Sequence, residues 1–150
     1  MGLDMYLSKK TYVKNWEHEK DKHRVVVTLN DQTRLDIKPE RVTYVDEEVM
    51  YWRKVNAVHA WFVENIQDGI DECQESRVTI KQLDELATIC EKVVRDKNPK
   101  LLPSQGGFFF GSTEYDKYYY DEIEETAKVL REEIRNNQEE YPEYFYQASW

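Results

Sequence analysis

Arg53, Asn56 and His59 recur at intervals of three within the stretch Tyr51–Gly69, and their types suit recognition chemistry. In one helix that spacing lines the side chains along a slowly drifting stripe, so a guanidinium, an amide and an imidazole converge on one ligand. Arginine grips an anion with paired hydrogen bonds, and Trp52 and Trp61 beside the stripe offer flat faces for an aromatic group. A nucleotide-like ligand combines both features. The competing reading is that Arg53 pairs with a nearby carboxylate, Asn56 bonds to a loop carbonyl and His59 is satisfied within the fold.

A second candidate is the segment Gln105–Gly111 with Ser112 and Thr113 after it. Backbone N–H groups at Gln105, Gly106 and Gly107 suit a phosphate, and hydroxyls at the start of a helix add to its positive dipole end. No lysine follows in the manner of a P-loop, and the spacing is not that of a dinucleotide fingerprint. A tight turn into a buried aromatic strand is the alternative. Tyr115 and Tyr118-Tyr119-Tyr120 are expected on the first turns of that helix, where successive side chains point about 100° apart. At least one of Tyr118–Tyr120 therefore faces solvent, a groove or a partner. The candidate ligand-binding set is Arg53, Asn56, His59, Gln105, Gly106, Gly107, Ser112 and Tyr115.

No catalytic set emerges. His18 and His23 belong to a charged loop expected over Asn15–His23, and His59 has no evident nucleophile beside it. Asp68, Asp71 and Glu72 have no spacing that separates a metal site from surface charge. Cys73 and Cys90, 17 positions apart, read as reduced thiols, and two cysteines with three histidines do not spell a zinc site. No metal and no cofactor is expected.

The elements that must position these groups follow from periodicity. Leu3, Met5 and Leu7 alternate with polar partners and predict a strand that extends toward Val13; Val25–Leu29 and Thr33–Ile37 predict a hairpin. Arg41–Val45 reads as a further strand or the approach to a helix. That first helix is expected to start at Asp46 as N-cap and to run to Gln67, stopping at Asp68-Gly69. A second helix is expected over Thr79–Lys97, capped by Thr79 and ended by Asn98-Pro99, and a third over Thr113–Asn137. Pro103–Gly107 reads as a loop, Phe108–Phe110 as a short buried strand, and Tyr144–Trp150 as the last strand. The expected fold class is α+β, one domain over residues 1–150, with a small antiparallel sheet packed against about three amphipathic helices.

Composition narrows the function classes. Residues 1–54 hold 11 basic and 10 acidic side chains, residues 55–113 hold 6 and 9, and residues 114–150 hold 4 and 11. A net charge of −9 opposes phosphate approach, so direct nucleic-acid binding is not expected. The acidic C-terminal third is either a solvated helix face or a surface that mimics nucleic acid or docks on a basic partner. No stretch approaches the roughly 20 apolar residues needed to span a bilayer, and the N-terminus lacks a leader pattern, so cytoplasmic residence without membrane contact is expected. A surplus of aromatic residues makes a homodimer compatible with the sequence.

Met1-Gly2-Leu3-Asp4-Met5-Tyr6-Leu7, Tyr51-Trp52-Arg53-Lys54 with Asn56, His59, Trp61 and Phe62, Gln67-Asp68-Gly69, Leu102-Pro103, Phe108-Phe109-Phe110-Gly111-Ser112 and the closing Ser149-Trp150 form a set. As a set they resemble a family of small proteins encoded by bacteriophages and prophages, and the likeness covers nearly the whole chain. It implies a non-enzymatic accessory protein in the bacterial host cytoplasm. Such a protein would counter a host defence by binding a nucleotide-like signal or a defence protein. Two alternatives remain: an acidic nucleic-acid-mimicking inhibitor acting through residues 114–143, and a small nucleotide-directed enzyme with His59 as acid or base.

Overall fold

The computed structural model describes residues 2–14, 16, 18 and 25–150. Apart from Trp16 and His18, the charged loop expected over Asn15–His23 lies outside the described residues. The fold is α+β, as the periodicities predict. Four antiparallel strands form one sheet in the order β4-β1-β6-β5: β1 is Asp4–Tyr12, β4 Tyr44–Arg53, β5 Ser76–Val78 and β6 Glu143–Ser149. The central pair therefore joins the two ends of the chain, and Asp4 lies opposite Ser149.

Alternation decides which face is buried. Leu3, Met5 and Leu7 from the N-terminus, Met50 and Trp52 from β4, Val78 from β5, and Tyr144, Tyr146 and Ala148 from β6 all point into the core. Tyr6, Tyr51 and Arg53 occupy the intervening, exposed positions. Three helices, α1 (Asn56–Ile66), α2 (Ile80–Asp96) and α3 (Lys117–Asn136), supply most of the rest of the core, and Val55, Leu102 and Phe110 add to it from the connecting segments.

The largest departure from the expected elements is at Tyr44–Arg53, which is a strand and not the first half of a helix. Met50 and Trp52 face inward while Tyr51 and Arg53 face outward, a period of two that the aromatic and aliphatic residues satisfy better than a helix does. Asp46 and Glu47, expected to cap and start the helix, instead lie opposite Lys10 and Lys9 of β1. Opposite charges across a strand pair stabilise that register. A bulge between Leu7 and Ser8 absorbs one extra residue of β4. The strand ends where Lys54 turns into the left-handed region, with φ of 56°, and its N–H bonds to the Leu3 carbonyl.

Only then does α1 begin, and it is buried on nearly every side, through Asn56, Ala57, Val58, His59, Trp61 and Phe62. It is a core helix and not an amphipathic one. The other two helices are amphipathic. Thr79 caps α2 through a reciprocal bond pair with Gln82. Asp116 caps α3 by accepting from the Tyr119 N–H, so that helix starts four residues later than Thr113.

Other corrections are local. The N-terminal hairpin shrinks to β2 (Thr28–Leu29) and β3 (Gln32–Thr33), paired only with each other across Asn30-Asp31, both at positive φ. Phe108–Phe110 is a turn, closed by the Phe110 N–H on the Gly107 carbonyl, and not a strand. Its Phe109 carbonyl accepts from Leu3, so the turn is stitched to the start of β1.

Sheet and α3 are joined by a buried polar contact. The Thr126 hydroxyl accepts from Trp52 Nε1 at 2.8 Å and donates to the Glu122 carbonyl at 2.7 Å. Replacing Thr126 by valine preserves shape but strands the indole N–H, and denaturant titration should show a loss of about 2 kcal/mol. Thr126→Ser should recover most of it.

Candidate functional site

Asn56 opens α1, and its carboxamide is consumed by the loop that follows α2. Nδ2 donates to the carbonyls of Phe110 at 3.0 Å and Ser112 at 2.9 Å, while Oδ1 accepts from the Gln105 N–H at 2.9 Å. One buried side chain thus clamps both limbs of the 105–112 loop. Gly107 is needed there because a Cβ would lie 2.8 Å from the Phe110 ring. The Ser112 hydroxyl accepts from the Glu114 N–H, and Ser104 Oγ donates to the Thr113 carbonyl. These side-chain bonds take groups a helix would need, which is why α3 does not begin at Thr113.

His59, one turn further along α1, is fully buried. Nδ1 lies 2.6 Å from the Tyr146 hydroxyl and Nε2 lies 2.9 Å from Asp71 Oδ2. Burial pushes the Tyr146 hydroxyl well above its ordinary value, so it stays protonated beside Nδ1. A carboxylate only accepts, so Nε2–H is the donor to Asp71. Trp150 Nε1 donates to the other Asp71 oxygen at 3.0 Å. Phe110 sets its edge against both the His59 and the Trp150 ring. The imidazole is therefore saturated and roofed by the loop and the C-terminal tryptophan.

Arg53 is on the far side of the sheet register from both. It ends β4 on the exposed face, with Nη1 3.4 Å from Asp4 Oδ1, and the Tyr51 hydroxyl donates to the same carboxylate oxygen. Tyr51 first, then Asp4, holds the guanidinium above its ordinary value. Tyr118 at the start of α3 donates to the Arg53 carbonyl at 2.8 Å. The expected stripe of Arg53, Asn56 and His59 is thus broken. The first belongs to a strand and points out; the other two belong to a helix and point in.

Of the predicted ligand-binding residues, the structure brings Asn56, Gln105 and Ser112 into direct contact, with Gly106 and Gly107 on the exposed loop between them. Tyr115 lies before α3, not on it; its hydroxyl accepts from the Ser104 N–H and its ring packs edge-on to Tyr119. Tyr119 is buried whereas Tyr118 is 51% exposed, as the helical geometry requires.

Lys54 was outside the predicted set. Its left-handed backbone lays the side chain over Gly111 and Gly2: a Cβ on either glycine would lie 3.0 Å from a Lys54 carbon. Beside it is a cavity of about 110 Å³ lined by Lys54, the first residues of α1, Gly111, Ser112 and the carboxylates of Glu114, Asp116 and Glu122. Burial, then Glu125 and Asp121, raises the Glu122 carboxyl above its ordinary value. Asp71, Tyr146 and Trp150 were also missed as partners of His59. The inward alternation of Tyr144, Tyr146 and Ala148 was the available signal for the second of these.

Among the described residues, no group of three or more His, Cys, Asp or Glu could hold a metal ion. Both cysteines are free, and burial pushes the Cys90 thiol up to about 12, which suppresses the reactive thiolate.

Asn56→Ala should lower stability by about 3 kcal/mol through the lost bonds and should speed amide exchange across residues 105–112. Asn56→Asp should do no better, since it sets a second acceptor against two carbonyls. Alkali provides a separate test. Cys90 and Tyr146 have raised folded values against ordinary values of 9.0 and 10.0, so the stability they confer is full below about pH 9 and is lost as pH climbs above it. Denaturant midpoints measured from pH 8 to about 11 should fall, and Tyr146→Phe should flatten that fall while lowering stability at neutral pH. No protein-family model, no curated protein and no solved structure matches this chain.

Proposed function

We propose that this is a non-enzymatic accessory protein of a bacteriophage or prophage, and that it counters a bacterial defence by docking on a host defence protein. The motif resemblance supplies the genomic setting. The observation that carries the docking reading is the division of labour around α1: the groups suited to proton transfer are sealed against each other, while the groups suited to adhesion are exposed. Phe108 is 94% exposed at the tip of the clamped loop. At the adjoining corner the Arg53 and Lys54 side chains flank Gly2, the Tyr51 hydroxyl bonds to Asp4 and the Tyr118 hydroxyl to the Arg53 carbonyl. Tyrosine and arginine dominate interface hot spots, and an exposed aromatic ring on a loop whose backbone is clamped presents apolar area to a partner.

Size and charge weigh against a nucleotide-like signal at the same place. The adjoining cavity of about 110 Å³ is smaller than the roughly 300–1,000 Å³ of usual ligand pockets, and Glu114, Asp116 and Glu122 would repel a phosphate. The acidic-mimic reading is weakened in part: within residues 114–143, Asp121, Glu124, Glu133 and Glu143 each pair with a base, which breaks up the run of unpaired negative charge that a mimic of nucleic acid requires. The enzymatic reading suffers because His59 has no ring nitrogen left for a substrate.

Expression of the protein in bacterial strains carrying different defence systems should raise phage plating on at least one of them. Phe108→Asp should cut that effect roughly 30-fold, the cost of losing one interface anchor, with the melting temperature unchanged, and Arg53→Gln should cut it similarly with no more than the small stability loss of its exposed pair with Asp4. Plating that ignores both substitutions would sink the assignment of this corner. A melting-temperature rise induced by nucleotides and abolished by Lys54→Ala would favour the small-molecule reading instead.

A further inference from the structure

A second surface, remote from the Arg53 corner, carries an independent inference. Helices α2 and α3 run antiparallel: Arg131 near the end of α3 bonds to Asp84 near the start of α2, and Lys97 at the end of α2 lies over Tyr120 at the start of α3. The crease between them holds an open cavity of about 540 Å³. Val94 and Ala127 contribute its apolar lining, and the rest is charged side chains from both helices.

Four of those side chains form a line. Glu124, Lys128, Glu132 and Arg135 are spaced by four, four and three along α3, so they share one ridge, and all four are exposed. Their charges alternate as minus, plus, minus, plus. Arg131 does not join the ridge, because Glu91, Asp84 and Thr88 hold it across the crease toward α2. Within the ridge, Lys128 pairs with Glu124 at 3.9 Å, and Glu132 and Arg135 have no ion-pair partner among the described residues.

An alternating row of four charges is its own complement when turned end for end. We propose that the α2–α3 crease is the interface of a two-fold homodimer in which the α3 ridges of two copies run antiparallel. Glu124 of each copy then meets Arg135 of the other, and Lys128 of each meets Glu132 of the other. Every one of the four contacts is attractive, and a two-fold axis closes the assembly at two copies. The small Ala127 leaves room for the aliphatic stems of the opposing lysine and arginine to cover Val94. Pairing Glu124 with Arg135 lets the two α3 helices overlap only from about residue 124 to Asn136, about 20 Å of helix. A contact of that length and about 20 Å width buries about 800 Å² in total, below the usual range for a stable interface. The dimer is therefore weak and salt-sensitive, because exposed ion pairs set its register.

Sedimentation velocity of the purified protein from micromolar to near-millimolar concentration tests this, with circular dichroism confirming that each variant is folded. The wild type should pass from monomer to dimer. Glu124→Arg and Arg135→Glu should each weaken dimerisation roughly tenfold, since by symmetry each creates like-charge contacts twice. The double variant, whose ridge is again self-complementary, should restore wild-type behaviour. Salt at about 1 M should erase the differences between variants. A monomer at every concentration would leave the crease to a different protein and overturn the proposal. So would a dimer indifferent to both single reversals, or one that the double reversal fails to rescue. If either reversal prevents folding, Lys128→Glu and Glu132→Lys with their double variant apply the same criterion.

Discussion

The Asn56 carboxamide is the contact on which the rest of this molecule depends. It sits where the chain leaves the exposed edge strand and enters the buried helix, within two residues of a left-handed Lys54. An unpartnered amide at that depth would be costly, so its donors and acceptor must be met. They are met by Phe110, Ser112 and Gln105, which lie about fifty residues later in the chain. Because one side chain binds both limbs of the loop, it fixes where Phe110 packs inward and where Phe108 is thrust outward. The same turn then takes the Leu3 N–H through Phe109, so the start of β1, the end of β4, the start of α1 and the loop are one mechanical unit.

Satisfaction of buried polar groups also sorts recognition from chemistry. His59 has the residue type of a proton carrier, yet Tyr146 and Asp71 occupy its ring nitrogens, and Trp150 holds Asp71 in turn. Such a chain rigidifies the closure of the C-terminal strand over α1. Arg53, with half its side chain exposed and only a partial claim on Asp4, keeps donors free for a partner. Charge behaves likewise on α3: bases drawn into local pairs cancel the acidic field over part of the helix, and those left over define where complementarity can act.

Periodicity read the fold well where one rule applied. The inward Leu3, Met5 and Leu7, the capped α2 with its apolar stripe, and the alternating C-terminal strand follow from their local pattern. At Tyr44–Arg53 two periods competed. Trp52, Val55 or Asn56, His59 and Phe62 or Val63 recur at helical spacing, and Asp46-Glu47-Glu48 resembles a helix start; the pairing with Lys9 and Lys10 that overrides both is long-range. The Phe108–Phe110 segment failed for a related reason. Its aromatic content favours a strand, but its backbone groups are claimed by Leu3 and Asn56, which no local pattern reveals. The possibilities that Asn56 bonds to loop carbonyls and that Arg53 pairs with a carboxylate were legible as residue chemistry; the identities of those partners were not.

Sequence alone determined the class of the domain, the two amphipathic helices, the reduced thiols and the segments from which a site would be drawn, because these depend on composition and on contacts within a few residues. Tertiary structure alone decided that Arg53 and His59 face opposite sides, that Lys54 lies across Gly2 and Gly111, and that Arg131 crosses to Asp84 and Glu91 of α2 while the α3 ridge faces out. The reason is physical: side-chain direction in a strand reverses with every residue, whereas in a helix it drifts, and the choice between them at Tyr44–Arg53 was made by hydrogen bonds to β1, a strand some forty residues away in the chain.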